Sequence, residues 1–200
     1  KNFGDNVHSS VELAIATAAE YLSEAGLQVD TIELPSVDEL LDLWVTLLFT
    51  DLRLMQKEMI NTHGSKDITS IIDYRLDRYP DASLKDYVEA LAKRIEKLQQ
   101  WSVLMENWPI ILAPVSLELP MGPNEDQDSN ERYQSILDAQ KWLIAANILG
   151  LPAVSVPTGL NNGLPTGVQL IGRRFYETMC LDIAQIIEDR VGILTHRLWE

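Results

Sequence analysis

Two hundred residues suit one domain or part of a larger one, and 46% hydrophobic content supplies material for a sizeable core. Sixteen basic against thirty acidic residues leave a net charge of -14, which repels phosphate backbones and excludes nucleic acid as a partner. The single cysteine, Cys180, excludes an internal disulfide and suits a reducing cytoplasm. No signal peptide or membrane span is visible, so no membrane partner is expected. A start at Lys1 rather than a methionine fits a fragment, a processed product or a chain with further residues upstream.

Residues Lys1 to Asn6 read as an irregular lead-in. Val7, Val11, Ile15, Ala18 and Leu22 then recur at helical spacing, and Gly26 ends the helix. Leu27 to Leu34 alternates as a strand, with Val29, Ile32 and Leu34 apolar. This helix-then-strand pair is half of an α/β unit whose preceding strand is expected upstream of Lys1. Ser36 with Glu39 matches a capping box, and Leu40 to Ile60 is apolar nearly all round. Such a helix is buried or paired: core packing is favoured over a ligand tunnel, and a homodimer interface stays open.

Asn61 to Lys66 breaks the pattern, and Asp67 to Arg78 forms a helix that ends before Pro80. Ser83 with Asp86 starts the longest helix, whose buried stripe is predicted as Leu84, Tyr87, Val88, Leu91, Ile95, Leu98 and Met105. Glu89 and Lys93 are spaced for a helical ion pair. Residues 36–107 thus read as a helical region. Pro109 stops the long helix, and Ile110 to Val115 reads as a central strand, apolar on both faces. Ser116 to Glu131 is the longest loop. Its Glu125, Asp126, Asp128 and Glu131 lack calcium-loop spacing, so a solvated, mobile segment is expected.

Trp142 to Gly172 carries no charged residue. Its prolines and glycines exclude a spanning helix. A helix ends at Gly150, strands follow at Ala153–Pro157 and Val168–Ile171, and a hairpin loop runs from Thr158 to Pro165 around Asn161-Asn162-Gly163. Strands this apolar belong inside a sheet covered by helices, which makes the fold class α/β. Tyr176 to Val191 forms a last helix ended by Gly192, and Ile193 to Glu200 is a tail.

Chemistry is sparse. His8, His63 and His196 lie far apart, without partners at metal-ligand spacing, so no metal is expected. Cys180 sits in a helical run as an inert buried thiol. Ser9-Ser10 lacks glycines and a lysine, and helix capping accounts for it. No phosphate loop or other cofactor site is visible. No nucleophile stands beside a base, so no catalytic residue is assigned.

The residues Asn147-Ile148-Leu149-Gly150-Leu151-Pro152-Ala153-Val154-Ser155-Val156-Pro157-Thr158-Gly159 and Gly163-Leu164-Pro165-Thr166-Gly167-Val168-Gln169-Leu170-Ile171-Gly172-Arg173 closely resemble the C-terminal hallmark of the amidase signature family. Leu112-Ala113-Pro114-Val115 matches its preceding strand. Thr166 departs from the pattern, a small apolar residue being commoner there. The resemblance implies the C-terminal part of a large α/β/α sandwich around a mixed central sheet. It also implies hydrolysis of a carboxylic amide by a Ser-Ser-Lys triad, with one serine attacking and the lysine acting as base through the second.

The triad belongs to a Gly/Ser-rich stretch that residues 1–200 do not contain, so this chain is expected to be inactive alone and to partner the N-terminal half of the same protein. Its own contribution would be the substrate-pocket wall facing a small-molecule amide. Counting back from Asn147 puts Gln140 on the helix face that meets substrate, with Leu137 one turn further and Leu117 in the loop after the strand. The A subunit of aminoacyl-tRNA amidotransferase is the alternative within the family, and a non-catalytic binding or dimerisation domain the alternative outside it.

Overall fold

The uncharged stretch folds into an antiparallel hairpin, and a third strand completes the sheet. The computed structural model of the chain describes residue 3 and residues 6–194, so His196 and most of the expected C-terminal tail lie outside the described residues. Strand β1 (Ile110–Pro114) pairs antiparallel with β3 (Leu164–Gly172), which pairs antiparallel with β2 (Ala153–Asn161), giving the order β1-β3-β2. The central strand is therefore β3, and the 110–114 strand lies at one side of it. All pairings among the described strands are antiparallel, as part of the expected α/β sandwich.

The hairpin turn is only Asn162 and Gly163, at φ 49 and φ 78. Two successive left-handed residues make the tight connection whose twist matches that of the flanking strands. Pairing thus runs to Asn161↔Leu164, and the expected eight-residue loop is mostly ladder. The register shifts between Pro157 and Gly159, where proline offers no N–H to the ladder.

Two helical layers cover the sheet. Ile110, Leu112, Val154, Val156, Val168 and Leu170 pack against Ala14, Ala18 and Leu22 of α1 (Ser9–Glu24) and Ala184 and Ile187 of α8 (Glu177–Val191). Ile111, Ala113 and Ile171 face the other way, toward α2 (Asp38–Asp51), α5 (Leu84–Leu104) and α7 (Lys141–Leu149). Helix α8 comes close to the end of β3. A Cβ on Gly172 would stand 2.3 Å from the Cys180 sulfur and 3.3 Å from Pro152, so only glycine lets the layers meet there.

Several local expectations are corrected. Residues 27–34 form no strand: Ile32 and Leu34 rest on the core while Leu27 and Val29 are exposed. Alternation records one side of an extended segment lying on the core, which period two does not distinguish from a paired strand. The helix expected over 40–60 is interrupted by a π-helical turn at Leu52–Gln56 before α3 (Lys57–His63). That turn brings Arg53 against the end of α4 (Lys66–Arg78). There its guanidinium donates to the carbonyls of Leu76 (2.5 Å) and Tyr79 (2.7 Å) and pairs with Asp81 at 2.6 Å. Leu54 and Met55 within the turn and Met59 past it are exposed.

Ser83 and Asp86 form the full capping box, and Tyr87, Leu98 and Met105 of the predicted stripe pack on the core, but the other four residues of that stripe do not. Ala90 and Trp101 are buried, whereas Leu84, Val88, Leu91 and Ile95 are exposed. Glu89 pairs with Lys85 at 3.7 Å rather than with Lys93. At α1, the cap is His8, whose Nδ1 accepts from the Ser10 N–H at 3.2 Å; Ser9 and Ser10 already belong to the helix. The acidic loop is pinned rather than free. Arg75 holds Asp126 at 2.5 Å, and Arg132 bridges Glu118 (2.9 Å) and Glu125 (2.7 Å) ahead of α6 (Asn130–Ala139).

Candidate substrate wall

Where β1 ends, the chain turns under the hairpin and leaves a depression of about 360 Å³. Val11, Val115, Ser116, Glu118, Ser155 and Thr166 are among its lining residues. Two buried bonds shape it. Gln169, only 2% exposed, donates from Nε2 to the Pro114 carbonyl at 2.8 Å and holds the end of β1. The Leu117 N–H donates to the Ala139 carbonyl at 2.8 Å and ties the departing loop to the helices.

That second bond lands beside Gln140. Rather than lying within one continuous helix, Gln140 forms the joint between α6 and α7, at φ -93 and ψ 6. Its N–H donates to the carbonyls of Ile136 (3.0 Å) and Leu137 (3.1 Å), and its carbonyl accepts from the Ile144 N–H at 3.0 Å. The backbone is thereby locked while the side chain stays half-buried. Leu117 is buried in the main core, and Leu137 is buried against Leu41, Tyr133 and Ile144. The fold thus brings Leu117 and Gln140 together through backbone, with both leucine side chains in apolar clusters.

Helix α7 is fixed by three polar ties. Lys141 pairs with Asp38 at 2.9 Å, Trp44 Nε1 donates to Asn147 Oδ1 at 3.1 Å, and Arg94 Nε donates to the Ile148 carbonyl at 2.5 Å. The asparagine of the hallmark motif therefore works as a bracket between α2 and α7.

Neither serine of the depression has an activating base, since no histidine or lysine among the described residues lines it. The Glu118 carboxylate is engaged by Arg132. Glu125 is held below the usual carboxylate range by the Gly122 N–H and then by Arg132. Burial pushes the Cys180 thiol up, and the Glu177 charge adds to that, which suits an unreactive sulfur. Among the described residues no cluster of histidine, cysteine or carboxylate side chains could hold a metal ion. No helix among them is long and apolar enough to cross a membrane. Ser116, Ser155 and Thr166 are lining residues that sequence reasoning misses. Ser155 and Thr166 stand inside the hallmark segments, and Thr166 is the motif's departure, so the signal was present there.

The described residues thus form an α/β unit whose depression is lined mostly by apolar residues, with Ser116, Glu118, Ser155 and Thr166 among them and no histidine or lysine. The chain belongs to the amidase family, whose family description matches residues 1–181. It is 33% identical over 196 residues to the indoleacetamide hydrolase of Bradyrhizobium diazoefficiens, covering 98% of this chain and 37% of that protein. The glutamyl-tRNA(Gln) amidotransferase A subunit of Bartonella bacilliformis is 39% identical over 90 residues, 44% of this chain and 18% of that protein.

Among solved structures, the A subunit of the Thermotoga maritima glutamyl-tRNA(Gln) amidotransferase superposes with a TM-score of 0.68 at 23% identity, over 94% of this chain and 40% of that one. Kluyveromyces lactis allophanate hydrolase reaches 0.74 at 19% identity, over 94% of this chain and 30% of its own. These two likenesses concern the fold. The chain spans less than half the length of these relatives.

Proposed function

We propose that this chain is the substrate-side, C-terminal segment of an amide hydrolase that converts a carboxylic amide to its acid and ammonia or amine. The reading is carried by one observation: identity to an indoleacetamide hydrolase runs through 98% of the chain rather than through the hallmark alone. In this reading the nucleophile and its base, a Ser-Ser-Lys set, come from the N-terminal half of the same protein. Preorganised wall and reactive groups must meet in one cavity, because positioning without a nucleophile leaves the barrier in place. The depression beside β2 offers apolar contact with Ser116, Ser155 and Thr166 among its lining residues, which fits a small, mostly apolar carboxamide. Gln140, half-buried on a locked joint and not among the lining residues of the depression, supplies in this reading an amide able to donate to or accept from a substrate that extends toward α7. Leu117 and Leu137 hold the loop and helix beneath it. The buried free thiol of Cys180 fits a reducing cytoplasm.

The test is a chimera in which this chain replaces the corresponding C-terminal part of an indoleacetamide hydrolase. Ammonia release from indole-3-acetamide is expected, with Gln140→Ala changing kcat/KM unequally across a panel of amides. Equal constants across the panel would remove Gln140 from the pocket. A role in a tRNA-dependent amidotransferase rests on identity over 90 to 108 residues, about half of the chain. Glutamine-dependent ammonia release that requires a second protein would favour it.

A further inference from the structure

We propose that Arg132 makes the depression prefer uncharged amides, acting through Glu118 as a positioning residue. The proposal rests on reading the depression as the substrate wall. Glu118 is the sole ionisable residue among the described residues that line it, in the company of Val11, Val115, Leu119 and prolines. A carboxylate in such a wall draws an ammonium group unless its charge is already met from behind. Arg132, outside the lining, meets it: Nη2 donates to Glu118 Oε1 at 2.9 Å and Nη1 donates to Oε2 at 3.0 Å. Both oxygens thus face one guanidinium, the forked geometry that arginine offers and lysine does not. The Arg132 side chain is 24% exposed and that of Glu118 30%, so solvent screens the pair only in part.

The backbone around Glu118 is fixed without Arg132. The His8 N–H donates to the Leu117 carbonyl at 2.8 Å, the Leu117 N–H to the Ala139 carbonyl at 2.8 Å, and the Glu118 N–H to Ser116 Oγ at 3.3 Å. The arginine therefore decides the charge that the wall presents rather than the path of the loop. Its Nε reaches Glu125 Oε1 at 2.7 Å, and Glu125 also accepts from the Gly122 N–H at 2.6 Å. One cation hence serves two carboxylates, and without it two like charges would stand beside the depression. The net charge of -14 favours cations over the whole surface, but salt screens that field within about 8 Å. Discrimination among amides falls to the nearest groups, which are the fork and its two partners.

The chimeric hydrolase tests it with two competitors of indole-3-acetamide: hexanamide, and its isostere with an ammonium group in place of the terminal methyl. In the unsubstituted chimera hexanamide should compete at least about tenfold better, because the ammonium finds no free carboxylate. Arg132→Met and Arg132→Gln should each erase or invert that preference, and adding Glu118→Gln should restore it. Arg132→Lys keeps the charge and should retain most of the preference. Melting curves confirm that each variant stays folded. A loop merely loosened would weaken both competitors alike, and Glu118→Gln would not reverse the loss. An active chimera overturns the proposal alone if it lacks the preference, if the Arg132 variants still exclude the ammonium amide, or if the double variant fails to restore the preference. A chimera that releases no ammonia from indole-3-acetamide overturns the substrate-wall reading and this proposal with it.

Discussion

Strands β2 and β3 lie side by side in one hairpin and carry the same uncharged hallmark, yet they live in opposite surroundings. From Val168 to Gly172 every residue of β3 is buried, because α1 and α8 cover one face and α7 with its neighbours the other. On β2, Val156 is buried under α1 and α8, whereas Ala153, Ser155 and Pro157 are exposed on the opposite face. The row Ala113–Gln169–Ser155 shows where cover stops: its first two members are buried and its last is open. Apolar composition is thus one signal with two meanings. In β3 it stabilises this chain, and in β2 it offers a surface beside the depression.

The largest contrast is in stability. Leu170→Ala should cost about 2–5 kcal/mol, the usual range for emptying a packed site. Ser155→Ala, one strand over, should stay within about 0.5 kcal/mol. Urea unfolding midpoints measure both, and similar losses would erase the distinction between the strands. Next comes Gly172→Ala, whose added methyl meets the Cys180 sulfur and should cost about 1–3 kcal/mol. Combined with Cys180→Ala, the loss should be less than the sum of the two single losses, since the residues share one contact.

A smaller effect is expected at the bracket of α7. Trp44→Phe removes the bond to Asn147 and should cost about 1 kcal/mol. In the chimeric enzyme it should also raise KM more than it lowers kcat. The smallest effect is in the acidic loop. Glu125 titrates below its ordinary value of 4.5 in the folded chain. Its contribution is therefore present above that pH and is lost as pH falls through the lower folded value. Being exposed, it should alter acid melting curves only slightly, and Glu125→Gln should flatten that last part of the slope.

Much of this was readable from residues whose meaning is local. Gly150 and Gly192 mark helix ends, Asn162-Gly163 marks the turn, and Ser83 with Asp86 marks a cap; each acts through neighbours within a few positions. Burial was less legible, because it depends on what lies opposite. The apolar row of α5 reads the same whether a core or solvent faces it. The segment 27–34 alternates just as a paired strand would. Gln140 was placed on a continuous helix by its distance to Asn147, but the break it makes between α6 and α7 carries no proline or glycine to announce it. The depression itself is assembled from Val11, the 115–120 loop and the hairpin, with Val11 more than a hundred residues from the other two, and only the fold brings them together.

The central claim, that the open side of β2 is the substrate side, is tested most directly by Ser155→Trp. The indole is predicted to leave the melting temperature of the 200-residue chain unchanged, because Ser155 is exposed among the described residues, yet to abolish ammonia release in the chimeric hydrolase by filling the depression. Undiminished turnover in the Ser155→Trp chimera would contradict it.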